Sequence, residues 1–448
     1  MPQPSTLPVI FVEDGKLADA GLSEAHSVWA TANGFTGQRG RVLALPGDGG
    51  ALAGYLFGTG AGQDRPVMVA GLAAASVSGG RYRLEGAFGD PTIAALGFEL
   101  GAYRFTRYRK GTPAPELDPP DNADKAEIAR LRDAAFLARD LINTPANDMG
   151  PGALETEIRS LAGRHEARVA VTTGDDLLKS NFPMIHAVGR AAGEAPRLVD
   201  ITWGREDDPK VTLVGKGVTF DTGGLDVKPA SGMLLMKKDM GGAANVLGLA
   251  HAVMDAGLRV RLRVLVPIVE NAISATSFRP GDVLVSRKGI SVEIGNTDAE
   301  GRLILADALA LADEESPQLL IDMATLTGAA RVALGPDLPP LYATDGALAR
   351  ELVDAGMAAD DPLWHMPLWS PYDSMMSSKI ADVNNAGTGG FAGSVTAALF
   401  LRRFVENAGT WVHLDIFGWA PEARPARSVG GTDQGIRAVY GVLKKRYG

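Results

Sequence analysis

The stretch Asn296-Thr-Asp-Ala-Glu-Gly-Arg302 joins a strand-like run, residues 290–294, to a helix-like run that begins at Leu303. Asp298 and Glu300 stand two residues apart, so both carboxylates can point at one place, and Gly301 lets the backbone turn sharply. Converging carboxylates repel each other unless a cation lies between them, which indicates a metal site. The alternative is a cap, in which Asp298 ends the strand and Glu300 favours the first helical turn.

Two further segments, both upstream and rich in glycine, add to this loop. They read Gly215-Lys-Gly-Val-Thr-Phe-Asp-Thr-Gly-Gly-Leu-Asp-Val-Lys228, after a strand-like run, and Met236-Lys-Lys-Asp-Met-Gly-Gly242, before a helix-like run. Among their charged residues, the candidates for the site are four carboxylates and three cationic side chains, namely Asp221, Asp239, Asp298, Glu300, Lys216, Lys228 and Arg302. Asp239 has a helix cap as its alternative role. Asp226, Lys237 and Lys238 are predicted to be ordinary exposed charges.

The donor set favours oxygen ligands over histidine. The chain has six histidines, and none shows the spacing of a HExxH motif, which argues against a mononuclear histidine–zinc site. Four carboxylates can share two divalent cations, as in a two-metal hydrolytic site. Such cations lower the pKa of a nearby lysine, which could then be neutral and act as a ligand.

Composition excludes several classes of protein. A net charge of −9 argues against a general affinity for nucleic acid or acidic membranes. The absence of cysteine removes disulfides, thiolate metal sites and cysteine nucleophiles. Residues 1–8 do not begin a signal peptide, and no apolar run approaches the ~18 residues of a membrane span. We therefore expect a cytoplasmic protein without a membrane partner.

The length of 448 residues predicts two domains. A linker with four prolines, residues 111–122, places the boundary near residue 120. Residues 1–120 are predicted to form a small α/β domain, with strands near residues 9–12, 41–45 and 66–70. In residues 121–448 strands and helices alternate, which predicts a mostly parallel central sheet flanked by helices. Sites in such α/β sheets lie where loops leave the carboxyl ends of the strands.

The three segments, read together, resemble the leucine aminopeptidases, a family of two-metal cytosol aminopeptidases. The likeness spans roughly residues 125–448 and includes Asn143-Thr-Pro-Ala-Asn147, Asp322-Met-Ala-Thr-Leu-Thr-Gly328 and His413-Leu-Asp-Ile416. Residues 1–120 show only a faint likeness to the N-terminal domain of that family. The resemblance implies a homohexamer that removes residues from peptides with a free N-terminus.

The resemblance also implies a role for each residue of the cluster. Asp221 and Glu300 would bridge two cations, either Mn²⁺ or Zn²⁺, and a hydroxide between the cations would attack the peptide carbonyl. Lys216 and Asp239 would complete the tighter site and Asp298 the exchangeable one. Lys228 would polarise the scissile carbonyl, and Arg302 would hold a bicarbonate that shuttles the proton.

The first side chain of the substrate would occupy a pocket lined by Met236, Thr325 and Gly328. The sequence departs from the family pattern here, because Phe417 follows Ile416 where a small residue is usual. Phe417 either narrows the pocket, which puts the preference for leucine in doubt, or packs between sheet and helix. Two rival functions stay open: a phosphoester hydrolase with the same metal logic, and a non-catalytic DNA-binding role.

Overall fold

Residues 6–62 and 65–448 are described by the structure, a computed structural model. They divide into two units, one made of the described residues up to Phe136 with Ala420–Val429, the other of Leu137–Trp419 with Gly430–Gly448. The chain passes from one unit to the other within a long helix. Residues 1–5 lie outside the described residues. They belong to the segment 1–8, for which no signal peptide was predicted.

The first unit contains a five-stranded sheet in the order β2-β3-β1-β4-β5. The strands are β1 (Leu7–Glu13), β2 (Val42–Pro46), β3 (Leu52–Gly60), β4 (Gly80–Gly86) and β5 (Pro115–Asp118), and the helices are α1 (Glu24–Ala32), α2 (Ala70–Ser76) and α3 (Pro91–Gly101). All neighbours pair in parallel except β2 and β3. The proline-rich stretch predicted as a linker supplies β5.

One strand prediction in this unit is wrong. Residues 66–70 form a turn that leads into α2, because the alanine-rich sequence beyond Val69 favours a helix. Close helix packing holds this segment: a Cβ on Gly101 of α3 would lie 2.2 Å from the carbonyl oxygen of Gly71 in α2.

The second unit is built on a nine-stranded sheet. Its path runs β15-β14-β17-β13-β8-β10-β7-β6, and β9 pairs with β10 beyond the end of β8. The strands are β6 (Arg168–Thr173), β7 (Arg197–Trp203), β8 (Lys210–Gly215), β9 (Gly217–Asp221), β10 (Arg261–Asn271), β13 (Leu319–Ala324), β14 (Pro340–Ala343), β15 (Trp364–His365) and β17 (Thr410–Asp415). The central strands are parallel, and antiparallel pairs occur at both sides. The predicted fold class, α/β with a mostly parallel sheet, is confirmed.

Helices cover both faces of this sheet. The remaining α-helices of the chain are α4 (Lys125–Asn143), α5 (Pro151–Arg164), α6 (Asp176–Lys179), α7 (Pro183–Gly189), α8 (Ala230–Met233), α9 (Gly241–Asp255), α10 (Glu300–Asp313), α11 (Gly328–Leu334), α12 (Gly346–Ala358), α13 (Gly393–Arg402) and α14 (Ile436–Tyr447). Short strands β11 (Val283–Val285), β12 (Ser291–Glu293), β16 (Val383–Asn384), β18 (Trp419–Ala420) and β19 (Gly430–Gly431) form two small sheets. No described helix combines the length and apolar character that crossing a bilayer requires.

Alternate residues of the central strands pack against helices on opposite faces of the sheet. Val214, Leu265 and Leu320 pack into the core formed with α7, α10 and α13. Gly215, one residue further along β8, faces α9, since a Cβ there would lie 2.6 Å from Cα of Ala243. Because successive side chains of a strand point to opposite faces, Lys216 turns towards α10.

Candidate active site

Three loops at the carboxyl ends of the central strands bring the predicted carboxylates together. Asp221 ends β9, Asp239 lies in a 3₁₀ helix (Met236–Met240), and Asp298 precedes α10, whose first residue is Glu300. Asp221, Asp298 and Glu300 each offer an oxygen, and these atoms lie within 4.8 Å of one another. Asp239 is linked to Glu300 through a shared lysine.

Two ammonium groups, one buried and one partly buried, hold the carboxylates in pairs. Nζ of Lys216 lies 2.7 Å from Oδ2 of Asp239 and 3.0 Å from Oε1 of Glu300. Nζ of Lys228 lies 2.8 Å from Oδ2 of Asp221 and also pairs with Asp298. Burial lowers the pKa of both lysines, but the neighbouring carboxylates raise it by more, so each pKa lies above its ordinary value.

The carboxylates are crowded beyond what the lysines neutralise. Burial and then the Asp221 carboxylate raise the pKa of Glu300 to about 8 and that of Asp298 to about 6. The four carboxyl groups outnumber the two ammonium groups that pair with them. Oδ2 of Asp239 and Oδ1 of Asp298 are buried and accept no hydrogen bond of good geometry. Divalent cations fit this site, and Lys216 could join them as a ligand once deprotonated.

Helix α10 begins three residues before the position predicted for it. Glu300, Gly301 and Arg302 form its first turn, where the partial positive charge of the helix end favours an acidic side chain. The alternative role of Glu300, as an acid of the first helical turn, is therefore also fulfilled. Both roles share one geometry.

Gly301 leaves room for Lys216. A Cβ at position 301 would lie 2.5 Å from Cε and 2.7 Å from Nζ of that lysine, far inside van der Waals contact. Gly223 and Gly224 adopt left-handed φ values of 87° and 65°, and the amide of Gly223 donates to Oδ1 of Asp221 at 2.8 Å. Glycine at these positions therefore shapes the cluster directly.

Gly301→Ala should displace the Lys216 amine and weaken divalent-metal affinity by about tenfold to a hundredfold, the usual effect of disturbing a metal ligand's support. Titration of the metal-free protein with Mn²⁺, followed by calorimetry, measures this change. Gly163→Ala is the matched control, because a Cβ at this helical glycine meets nothing within 4 Å. Unchanged affinity in Gly301→Ala would show that Lys216 does not take part in metal binding.

Arg302 lies in the same turn but has different surroundings. It is buried, its Nη1 donates to the carbonyl oxygen of Asn385 at 2.6 Å, and its Cζ lies 5.8 Å from the ring centre of Phe400. Its Nε has no hydrogen-bond partner, and burial lowers its pKa to about 10. Arg302 does not line the cavity next to the carboxylates.

That cavity has a volume of about 250 Å³ and contains both lysines and all four carboxylates in its wall. The predicted pocket residues Met236, Thr325 and Gly328 all line it. Thr325 also positions a carboxylate, because its hydroxyl donates to Oδ1 of Asp239 at 2.9 Å. Phe417 lines the cavity too, and whether it narrows the pocket for the first side chain stays a prediction.

Asparagines that the sequence analysis missed tie the loops together. Nδ2 of Asn271 donates to Oδ1 of Asp221 at 2.9 Å and to the carbonyl oxygen of Thr297 at 3.1 Å. Oδ1 of Asn385 accepts from the amides of Gly295 and Asn296 at 2.8 and 3.1 Å. Asn271 is the last residue of the mostly buried strand β10. A polar residue at the end of a buried strand was the feature of the sequence that could have identified it.

Of the three residues predicted to be ordinary exposed charges, only Asp226 is exposed. Lys238 is only 6% exposed and lines the cavity, because the 3₁₀ helix turns its side chain inward. Asp226 is exposed, yet its Oδ2 accepts from the amide of Thr297 at 2.7 Å and so anchors the loop that carries Asp298. Lys237 lies outside the cavity lining, donates to the carbonyl oxygen of Asn143 at 2.7 Å and is half-buried.

A carboxylate cluster fit for divalent cations, at the carboxyl edge of a mostly parallel sheet, is the arrangement of a metal-dependent hydrolase. The chain belongs to the cytosol aminopeptidase family: residues 136–440 match its catalytic domain and residues 8–116 match the N-terminal domain of M17 aminopeptidases. The protein is thus a hydrolase that acts on peptides.

Relatives and solved structures agree with this membership. A probable cytosol aminopeptidase of Roseiflexus castenholzii is 42% identical over 79% of this chain and 76% of its own length. One of Sinorhizobium medicae is 37% identical over 90% and 88%. The crystal structure of the Coxiella burnetii cytosol aminopeptidase is similar with 44% identity and a TM-score of 0.94, covering 100% of this chain and 99% of that one. The bottromycin maturation enzyme BotP in complex with Mn is 32% identical, with a TM-score of 0.90 and coverage of 98% and 99%.

Proposed function

We propose that the protein removes N-terminal residues from peptides at a site that binds two divalent cations. The observation that carries this proposal is the convergence of four carboxylates and Lys216 from three loops on one cavity wall. Asp221 and Glu300 would contact both cations. Lys216 and Asp239 would complete one site and Asp298 the other. When bound, the two cations supply a hydroxide nucleophile at neutral pH and draw electron density from the peptide carbonyl.

Lys228 is suited to act on the carbonyl oxygen. Lys228 lines the cavity, and its side chain is 14% exposed. Its ammonium can therefore donate a hydrogen bond directly to a substrate in the cavity. Cations that take over the charge of Asp221 and Asp298 would release the ammonium from its ion pairs with them. Lys228 would then stabilise the negative charge that develops on the oxygen in the transition state.

Arg302 is proposed to hold a bicarbonate that moves the proton from the nucleophile to the leaving amine. The unpartnered Nε supports this role, because a buried guanidinium without a carboxylate partner favours an anion. Since Arg302 does not line the cavity wall, such an anion would lie between the guanidinium and the metal ligands. In the described residues, no carboxylate is paired with Arg302.

The free α-amine of the substrate is the natural ligand for one cation, which restricts cleavage to the first residue. The first side chain would lie against Met236, Thr325 and Gly328, with Phe417 closing the pocket. Manganese is supported by the solved complex of BotP, and zinc is the other candidate. The names of the relatives support a cytoplasmic location.

Further parts of the proposal extend beyond the site. The separate family matches of residues 8–116 and 136–440 support a domain boundary near residue 120. We propose a homohexamer, as the resemblance implies, and neither a membrane nor nucleic acid as partner, given the net charge of −9.

Hydrolysis of leucine p-nitroanilide with added Mn²⁺ tests the proposed function. The metal-loaded protein should release p-nitroaniline, and prior dialysis against a chelator should remove that activity until Mn²⁺ is restored. Absence of hydrolysis across a panel of aminoacyl anilides, with bound metal demonstrated, would contradict the proposal.

A further inference from the structure

Two cationic side chains lie beside the residues proposed to contact the first side chain of the substrate. Lys238 follows Met236 by two residues in the 3₁₀ helix, and Arg331 lies one turn after Gly328 in α11. Both line the same cavity as Phe417. Nζ of Lys238 lies 4.8 Å, and Cζ of Arg331 5.1 Å, from the ring centre of Phe417. The pocket wall is therefore aromatic and positively charged.

In the part of the chain that the structure describes, neither Lys238 nor Arg331 forms an ion pair with a carboxylate, although Lys238 is only 6% exposed. The nearby carboxylates have other partners. Asp239 binds Lys216 and Thr325.

Asp415, the other nearby carboxylate, is equally occupied. Its Oδ1 accepts from the amides of Leu326 and Thr327, and its Oδ2 accepts from the hydroxyls of Thr327 and Ser394. A buried ammonium without a counter-ion is costly, so the missing partner is expected to come from outside the chain.

We propose that the pocket selects an acidic N-terminal residue, glutamate or aspartate, whose side-chain carboxylate pairs with Lys238 and Arg331. This inference rests on the proposed aminopeptidase function and names its substrate class. Guanidinium and ammonium groups form charge-assisted hydrogen bonds with a carboxylate, and the methylene groups of the substrate would pack on Phe417. A leucine side chain would instead leave the buried ammonium unpaired, which is how sites built for a polar group reject apolar analogues.

The test compares kcat/KM for the p-nitroanilides of glutamate, aspartate, glutamine and leucine on the Mn²⁺-loaded protein. Glutamate and glutamine have nearly the same shape, so their ratio isolates the charge. We expect glutamate to exceed both glutamine and leucine by about tenfold or more, given the strength of hydrogen bonds between charged groups. Equal rates for glutamate and glutamine, or a preference for leucine, would overturn the inference.

Variants show whether the two cations cause the preference. Arg331→Met and Lys238→Met should each lower the ratio of kcat/KM for glutamate to kcat/KM for leucine about tenfold to a hundredfold, chiefly through KM for glutamate. Lys237→Met is the matched control, because Lys237 adjoins Lys238 but does not line the cavity. A parallel loss for both substrates in Arg331→Met, with two cations still bound, would overturn the inference.

The outcomes separate this inference from the function on which it rests. Hydrolysis of leucine without a preference for acidic residues overturns the pocket assignment alone. Lack of hydrolysis of every anilide overturns the aminopeptidase function and the pocket assignment together. Arg331 is exposed on α11, so its variant keeps the test informative even where Lys238→Met disturbs the adjacent Asp239.

Discussion

Asp221→Asn is expected to abolish the binding of both divalent cations and, with it, peptidase activity. Asp221 has the central position: its oxygen lies within 4.8 Å of those of Asp298 and Glu300, and its Oδ2 lies 2.8 Å from Nζ of Lys228. The amide has nearly the same size but carries no charge, so the excess negative charge that attracts the cations falls. Metal content after dialysis, measured by mass spectrometry, reports the loss.

The control for this variant is Asp207→Asn, which removes an exposed carboxylate from the turn before β8 and should retain two cations per chain. The bridging role of Asp221 also requires that neither cation stays bound in Asp221→Asn. If one cation stays at full occupancy in Asp221→Asn, then Asp221 does not contact both, and the bridging role belongs elsewhere in the cluster.

Lys228→Ala is expected to lower kcat by about a hundredfold to a thousandfold while two cations stay bound, the range for loss of one donor to a developing oxyanion. The reason is the different placement of the two lysines. Lys216 is 3% exposed and lies against Asp239 and Glu300, whereas Lys228 is 14% exposed and faces the cavity. Steady-state kinetics with leucine p-nitroanilide, together with metal analysis, measures both effects.

Lys216→Ala provides the contrast for this experiment. It removes a proposed ligand, so metal affinity should fall along with activity. If Lys228→Ala also releases metal, then its ammonium supports the metal site and does not act on the substrate. The pair of variants therefore distinguishes a lysine that holds a cation from one that stabilises the transition state.

The two lysines also lower the electrostatic repulsion within the carboxylate cluster. Each ammonium occupies the space between two carboxylates and compensates part of their repulsion. The compensation is incomplete, since the pKa of Glu300 still rises to about 8. Binding of cations should consequently displace Lys228 from its ion pairs and drive a proton from Lys216.

The sequence predicted the donors of the site because they occur in short, local motifs. A carboxylate pair in one loop, or a lysine between two glycines, indicates a candidate site even when the fold is not known. The mostly parallel sheet followed in the same way, from strands and helices of suitable length in alternation. These features depend on neighbours along the chain.

What the sequence did not predict depends on partners far along the chain. Asn385 supports Arg302 from 83 positions away, and Asn271 meets Asp221 from 50 positions away. Lys238 lines the cavity because the 3₁₀ helix turns its side chain inward. In the sequence, Lys237 and Lys238 look alike, so nothing indicated that only one of them would face the cavity. Residues 66–70 were missed for a different, local reason: Val67 and Val69 fit a strand, but the alanine-rich sequence that follows them favours the helix α2.

The central claim is that carboxylates from three loops, with Lys216, hold two divalent cations. Anomalous diffraction from crystals of the Mn²⁺-loaded protein tests it most directly. We expect two peaks in each chain, both within about 2.0–2.6 Å of carboxylate oxygens of Asp221 and Glu300, the range for divalent cations bound by oxygen. A single peak, or peaks that lie away from Asp239 and Glu300, would contradict it.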